Sequence, residues 1–383
     1  LPDETRHIRF PAVFGATGSL GQCVCRVLSE NGCGCAHLGG WRSHDVLAGL
    51  VGSLKPLTIS FDGEPSPDLA LAIRQTGTRR VTSDEKALAD ADGAVVVSSG
   101  PDGSGPMLEA VARGIPVAAG NKETLVAYGR MILSRRAGGL PPDIRPVDSE
   151  HAAASHLIGL LPGGSAPDRL VITGTGGAVR DVAPAMRAGL SPARVLRHPV
   201  WKMGAKITID SATLVNKALE VVEASILFGI PGERISVLFD PGASIHAAIE
   251  WGGRMTAFSG PADMAGPVRM ALGIPGLAGA SVLDGGDARA AVDALAEPDF
   301  FSKRAIGLGH AVLAAGGCTP MTLVVADQAA VRAFLAGRIR FGDIVPFIED
   351  TLEAFRHAAD MNPESGADLA RLREDLEKFT AHI

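Results

Sequence analysis

The chain has 383 residues, 46% of them hydrophobic and 20% charged, and a formal net charge of −6. That length exceeds one ordinary core and fits two or three domains, while the acidic balance, without a basic stripe or tail, excludes a general nucleic-acid or anionic-membrane surface. Any phosphate ligand must then be met by a local cluster. No apolar run approaches the roughly 18 residues that suggest a spanning helix, and the opening LPDETRHIRF lacks the order of a signal peptide, so a cytoplasmic location is expected. The sequence begins with Leu rather than Met, which leaves a removed targeting segment before Leu1 open. With 47 glycines and only 4% aromatic residues, the composition points to α/β architecture with close helix-on-sheet packing.

Arg9 to Phe14 reads as a short buried strand, followed by Gly15-Ala16-Thr17-Gly18-Ser19-Leu20-Gly21 and a helical run from Gln22 to Glu30. Strand, glycine turn and helix form a dinucleotide-binding entry, in which Gly lets the backbone approach a pyrophosphate at a helix N-terminus; a tight strand–helix turn is the plainer alternative. Cys23, Cys25, Cys33 and Cys35 form a C-x-C…C-x-C pattern. Usual zinc spacing is longer, and residues two apart on a helix diverge, so small buried thiols are expected rather than a metal site. After a strand near Ala36 to Leu38 come Trp41, Arg42 and Ser43, where a carboxylate would hold the ribose of NAD; Arg42 and Ser43 instead suit a 2′-phosphate.

Ala94 to Ser98 and Pro116 to Ala119 read as further parallel strands, the second leading into Gly120-Asn121-Lys122-Glu123. Arg145 to Val147 leads likewise into Asp148-Ser149-Glu150-His151, where two acids just past a strand can meet one hard cation, or simply form a solvated turn and helix cap. Leu170 to Thr173 ends in Gly174-Thr175-Gly176-Gly177, a loop able to offer N–H groups and a hydroxyl to an oxyanion. The richest window is HPVWKMGAKITIDSATLVNKALEVVE, His198 to Glu223. Asp210 and Ser211 are helix N-cap types, predicting a helix from Ser211 to about Leu227 with Asn216, Lys217 and Glu220 on one face and Leu214, Val215, Ala218, Leu219 and Val222 on the other. Ile235 to Phe239 and Arg254 to Phe258 supply strands for a second, mixed domain; Gly273 to Asp287 reads as a linker, and helices follow from about Ser302.

Together GATGSLG, GNKE, PVDSEH, HPVWKMGAKITIDSATLVNKALEVVEA and LFGIP resemble the 1-deoxy-D-xylulose 5-phosphate reductoisomerase family over most of residues 8 to 265. The resemblance implies an N-terminal Rossmann-like NADPH domain over 1–147, a central α/β catalytic and dimerisation domain over 148–272 with a mobile lid at about 194–206, a linker over 273–300 and a C-terminal helical domain over 301–383. It implies NADPH- and metal-dependent isomerisation and reduction of 1-deoxy-D-xylulose 5-phosphate to 2-C-methyl-D-erythritol 4-phosphate, in a homodimer. Asp148, Glu150 and Glu220 would hold Mg²⁺ or Mn²⁺, with Ser149 and Lys122 at the substrate beside the cation. Thr175, Ser211, Asn216 and Lys217 would hold the phosphate, His198 would contact substrate, and Trp201 and Met203 would belong to the lid. Gly15, Thr17, Gly18, Ser19, Leu20, Trp41, Arg42, Ser43, Asn121, Glu123 and Gly204 would line the NADPH site.

The sequence departs from that pattern in places. Thr175-Gly176-Gly177-Ala178-Val179 stands where Ser-Gly-Gly-Pro-Phe is usual, Asp240-Pro241-Gly242 where His-Pro-Gln is usual, and the match thins beyond the linker. A reductase of a related sugar phosphate is therefore one alternative, and a non-catalytic NADPH-binding protein another. A cysteine-dependent dehydrogenase is disfavoured because no cysteine lies between Cys35 and Cys318.

Overall fold

The computed structural model describes residues 7–40, 43–98, 100, 103–135, 138–198, 203–276 and 279–383. They fall into two units: Leu1–Thr124, Ile132–Ala152 and Asp263–Ala278 form the first, and Leu125–Met131, Ala153–Ala262 and Gly279–Ile383 the second.

Seven strands build the sheet of the first unit: β1 (Ala12–Phe14), β2 (His37–Gly39), β3 (Thr58–Ser60), β4 (Arg79–Arg80), β5 (Ala94–Val96), β6 (Val117–Ala119) and β7 (Ile144–Pro146). Their order is β4-β3-β2-β1-β5-β6-β7 and every neighbouring pair is parallel. β1, β5 and β6 are buried at every residue, as their unbroken apolar runs demand of a sheet covered on both faces. Val13, Leu28, Leu38, Leu47, Ile59 and Val95 share one core with Val268 and Leu272 of the Ala265–Leu272 helix. β1 is shorter than the stretch Arg9 to Phe14. The Arg9 and Phe10 N–H groups donate to the Asp92 carboxylate, at 2.7 and 2.9 Å, instead of to a neighbouring strand.

Cys25 and Cys35 are buried beside this core and Cys23 and Cys33 partly so, all as free thiols. Burial pushes the Cys25 thiol up to about 12 and raises Cys35 too. Among the described residues the groups able to hold a metal ion contain no cysteine.

In the second unit β8 (Arg169–Gly174), β9 (Ile235–Phe239), β10 (Ile245–Trp251), β11 (Arg254–Ser259) and β12 (Ser281–Asp284) are ordered β12-β11-β10-β8-β9. Only β8 and β9 run parallel. Part of the Gly-rich stretch read as a linker is thus β12, and it continues into the Gly285–Asp293 helix, which Asp284 caps. Ala288 and Val292 of that helix pack on Val171, Ala248 and Ala257 of the sheet. The C-terminal part is helical, with Phe300–Ala315, Thr319–Leu335, Ile344–Ala354 and Gly366–Thr380 as its α-helices. No helix among the described residues is long and apolar enough to cross a membrane.

The helix expected to start at Ser211 is two helices, Ala205–Thr213 and Val215–Phe228, joined at Leu214 with φ 65°. Ser211 lies in the last turn of the first and caps nothing. Thr213 explains the break: its hydroxyl donates to the carbonyls of Ile209 and Asp210 at 3.0 and 3.1 Å, which ends the first helix with its acceptors satisfied.

An imidazole sits inside the parallel sheet. His37 is fully buried in β2, with Nδ1 3.0 Å from Thr58 Oγ1 and Nε2 3.0 Å from Ser60 Oγ on β3. Burial lowers its pKa to about 3, so the folded chain keeps a neutral imidazole while the unfolded chain takes up a proton near pH 6.5. Stability tied to His37 is therefore complete above that pH and lost progressively as pH falls toward 3, at up to about 1.4 kcal/mol per pH unit. Urea unfolding at about pH 7, 6 and 5 checks this: the decline should be steeper in the wild type than in His37→Asn by up to one proton, and equal slopes would refute it.

Candidate active site

In the first unit, strand order reverses beside β1, and the Gly15–Gly21 turn stands at the carboxyl end of β1 and β5, the switch point where open α/β sheets bind ligands. Gly15 has φ 91°, and a Cβ there would meet Ser98 N at 2.5 Å; one on Gly21 would meet Gly15 O at 2.1 Å. Those contacts allow only glycine. Gly18 is the N-cap of Ser19–Glu30 and no side chain caps it, leaving that end suited to an anion; Gly18 and Ser19 are exposed, and Thr17 and Leu20 half-buried. Ser43 precedes the His44–Leu54 helix without a capping hydrogen bond. Trp41 and Arg42 lie outside the described residues.

The same unit gathers a charged cluster beyond β6 and β7. Asn121 caps the Lys122–Ser134 helix, accepting from Thr124 N at 2.9 Å and donating to Gly100 O at 2.7 Å. Glu123, in the first turn of that helix, is buried. Lys122 Nζ lies 2.5 Å from Asp148 Oδ2, and His151 Nδ1 3.4 Å from Asp148 Oδ1. Ser149 Oγ donates to Glu150 Oε2 at 2.5 Å. Two carboxylates, a hydroxyl and an ammonium thus meet at the start of the Ser149–Gly159 helix, and the oxygens among them suit a hard divalent cation.

The second unit holds the other predicted residues. The Thr175 and Ser211 hydroxyls lie 3.3 and 3.2 Å from His198 Nε2, so that one imidazole nitrogen joins two hydroxyls from separate elements. Burial first, and then the Arg180 guanidinium, lower the His198 pKa and favour the neutral ring. On the Val215–Phe228 helix, Lys217 Nζ donates to Glu220 Oε2 at 2.5 Å and Asn216 Nδ2 donates to Glu220 Oε1. All three are buried, so the helix has no solvated polar face, contrary to a simple two-sided pattern. Among the described residues the buried Asn216 Oδ1 has no hydrogen-bond partner. Gly204 is the N-cap of Ala205–Thr213; Met203 is half-buried, and Trp201 lies outside the described residues.

Three residues missing from the predicted set shape this region. Arg180 donates to the carbonyls of Thr175 and Pro241 at 3.2 and 3.0 Å, tying the two loops together. Asp240 accepts from the N–H groups of Gly242, Ser244 and Ile245 and from the Ser244 hydroxyl; burial raises its pKa, but these hydrogen bonds outweigh it and hold the carboxyl below its usual range. His246 is buried, and burial first, then Lys217, lower its pKa. A Ser two residues after D-P-G was the signal for Asp240; nothing local marked Arg180. A cavity of about 280 Å³ in this unit is lined by Gly176, Arg180, Ala212 and Leu214 but not by Thr175, His198, Asn216, Lys217 or Glu220.

A parallel sheet with a glycine turn at its switch point in one unit, and a cluster of cationic and hydroxyl side chains in the other, define an α/β enzyme of the dinucleotide-dependent type. Family models described as 1-deoxy-D-xylulose 5-phosphate reductoisomerase match residues 12–129, and its C-terminal-domain models match 144–228 and 259–377. The reductoisomerase of Chlorobium chlorochromatii is 34% identical over 97% of this chain and 99% of its own, and that of Thermus thermophilus 36% identical over 89% and 92%. Among solved structures, a reductoisomerase in complex with NADPH, fosmidomycin and magnesium is 26% identical with a TM-score of 0.85, and the Zymomonas mobilis enzyme with NADPH is 29% identical with a TM-score of 0.82; each comparison covers 98% of both chains. The chain belongs to the 1-deoxy-D-xylulose 5-phosphate reductoisomerase family.

Gly177 offers a direct check on the second unit's loop. It has φ 69°, and a Cβ there would lie 2.3 Å from Ser211 O, whereas one on Gly189 would meet nothing within 4 Å. Gly177→Ala should lower stability by about 1–3 kcal/mol and weaken substrate binding, with Gly189→Ala near wild type in both. Thermal melts and KM read this, and a wild-type-like Gly177→Ala would contradict the geometry.

Proposed function

We propose that the residues placed above divide the family's reaction between a cofactor turn, a cation cluster and an anion cluster. The reaction is the NADPH- and divalent-metal-dependent conversion of 1-deoxy-D-xylulose 5-phosphate to 2-C-methyl-D-erythritol 4-phosphate in non-mevalonate isoprenoid biosynthesis. The observation that carries the reading is the half-buried meeting of Thr175, Ser211 and His198 in the unit where Lys217 and Asn216 lie one turn from Glu220. Two hydroxyls, an amide and an ammonium are what a phosphate dianion needs in a place water cannot serve.

In this reading Gly15, Thr17, Gly18, Ser19 and Leu20 cradle the NADPH pyrophosphate at a helix N-terminus. Trp41, Arg42 and Ser43 take the 2′-phosphate end, and Asn121, Glu123 and Gly204 complete the cofactor's surroundings. Asp148, Glu150 and Glu220 are the carboxylates for Mg²⁺ or Mn²⁺, which when bound supplies Lewis-acid polarisation of substrate oxygens. Lys122 and Ser149 orient those carboxylates and meet the substrate beside them. His198, neutral by burial, presents Nε2 as a hydrogen-bonding post, and Trp201 and Met203 cover the substrate to exclude water. Phosphate binding energy, spent far from the reacting carbons, holds the substrate in place. A homodimer and a cytoplasmic location belong to the same reading.

Loss of NADPH absorbance with 1-deoxy-D-xylulose 5-phosphate should require Mg²⁺ or Mn²⁺. Glu220→Gln should lower metal-dependent kcat/KM on the order of a hundredfold or more with an unchanged circular dichroism spectrum. Full activity in that variant would sink the site assignment, and NADPH consumption with only a different sugar phosphate would replace the substrate.

A further inference from the structure

We propose that Asp327, on the C-terminal Thr319–Leu335 helix, is a positioning residue for the substrate's anionic group, acting through Lys206. This deepens the reading above and rests on it, because it concerns where Ser211 is held. Lys206 stands in the first turn of the Ala205–Thr213 helix. Its Nζ lies 2.5 Å from Asp210 Oδ2, one turn further along the same helix, and 2.5 Å from Asp327 Oδ2. The Asp327 side chain is 0% exposed, Asp210 2% and Lys206 20%.

The Thr319–Leu335 helix is buried along most of its length, so Asp327 is a fixed point. The Ala205–Thr213 helix is short, ends at the Leu214 turn, and carries Ser211 immediately after Asp210. Packing alone can place such a helix, but an apolar contact tolerates small slides and rotations. An ammonium held between two buried carboxylates does not, since either bond broken leaves charge in a place where it costs several kcal/mol. The arrangement thereby fixes one register of the helix, and with it the distance from the Ser211 hydroxyl to His198 Nε2. It is a costly way to gain stability and an effective way to gain position, which is the use best supported for buried ion pairs.

The test compares wild type, Asp327→Asn, Lys206→Met and the double variant in four readouts: Tm, KM for the sugar phosphate, KM for NADPH, and affinity for inorganic phosphate by calorimetry. Asp327→Asn should raise the sugar-phosphate KM and weaken phosphate binding about five- to tenfold, with a smaller change in NADPH KM, which Gly204 at the start of the same helix would carry. Lys206→Met should do the same and lower Tm, and adding Asp327→Asn should recover part of that Tm because one buried charge is gone. Wild-type turnover tests the functional reading by itself, while phosphate affinity reads this inference even if the substrate is another sugar phosphate. Unchanged phosphate affinity and substrate KM in Asp327→Asn, whatever its Tm, would show a merely structural pair and overturn the proposal.

Discussion

Glu220 is a carboxylate with almost no access to water, and much of the second unit follows from what that requires. A buried charge is tolerable only when donors meet it, and here they come from its own helix: Lys217 three residues back and Asn216 four. That spacing works only if helical geometry is already established at Asn216. The break at Leu214 provides it, letting a new helix start at Val215 in a direction the Ala205–Thr213 helix could not have continued. The strand beside it must also yield. A Cβ on Gly174 would meet Lys217 Cε at 2.8 Å, so β8 ends in glycine where the lysine passes. On the other flank Gly309 lets the Phe300–Ala315 helix approach Ala218, whose carbonyl a Cβ would reach at 2.3 Å. Close backbone approach keeps water out, and exclusion of water gives the Lys217, Asn216 and Glu220 contacts their strength.

The first unit meets a similar demand with less charge. Its strands are three residues long or shorter, β1, β5 and β6 are wholly apolar, and glycine brings the backbone close to whatever binds at their carboxyl ends. His37 on β2 is kept neutral by burial and engaged on both nitrogens by β3. His37 and Glu220 are thus each met by neighbours within their own unit, the one as a neutral ring between hydroxyls and the other as a carboxylate between donors.

The parts legible in the sequence were those whose cause is local. The Gly15–Gly21 turn announces itself because only glycine fits its φ and contacts, and β5 and β6 because a fully buried parallel strand must be apolar throughout. The C-terminal helices were legible from pattern alone. Ser211 was misjudged as a cap because its residue type suits an N-cap, while the signal that mattered was the Thr213 hydroxyl turning back on its own helix, which no periodicity reveals. β10 and β12 went unseen because their alanine- and glycine-rich surroundings give no alternation, and their pairing with β8 and β11 is long-range. Of the site, Asn216, Lys217 and Glu220 followed from helical spacing, whereas Lys206 with Asp327 and Arg180 with Pro241 join residues 121 and 61 positions apart. No local rule reaches that far.

The departures from the family pattern become intelligible once the atoms are considered instead of the residue names. Thr175 retains the hydroxyl that reaches His198 Nε2, and its added methyl is accommodated beside two glycines at φ 78° and 69°. The Pro-Phe that follows in the usual pattern would stiffen the loop; here Arg180 does so, spanning the Thr175 and Pro241 carbonyls. Asp240, in place of a histidine, is an acceptor that gathers three backbone N–H groups and so fixes the turn leading to His246, whose ring the Lys217 ammonium influences. At Thr175 the hydroxyl is kept while the bulk around it changes, and at Asp240 an acceptor that orders the turn replaces a ring. Specificity for an anionic group depends on donors left unpaired when the wrong ligand binds, far more than on the shape of nearby apolar atoms. Retention of the donors therefore argues for retention of a phosphorylated substrate, and the altered bulk bears on the carbon skeleton attached to it.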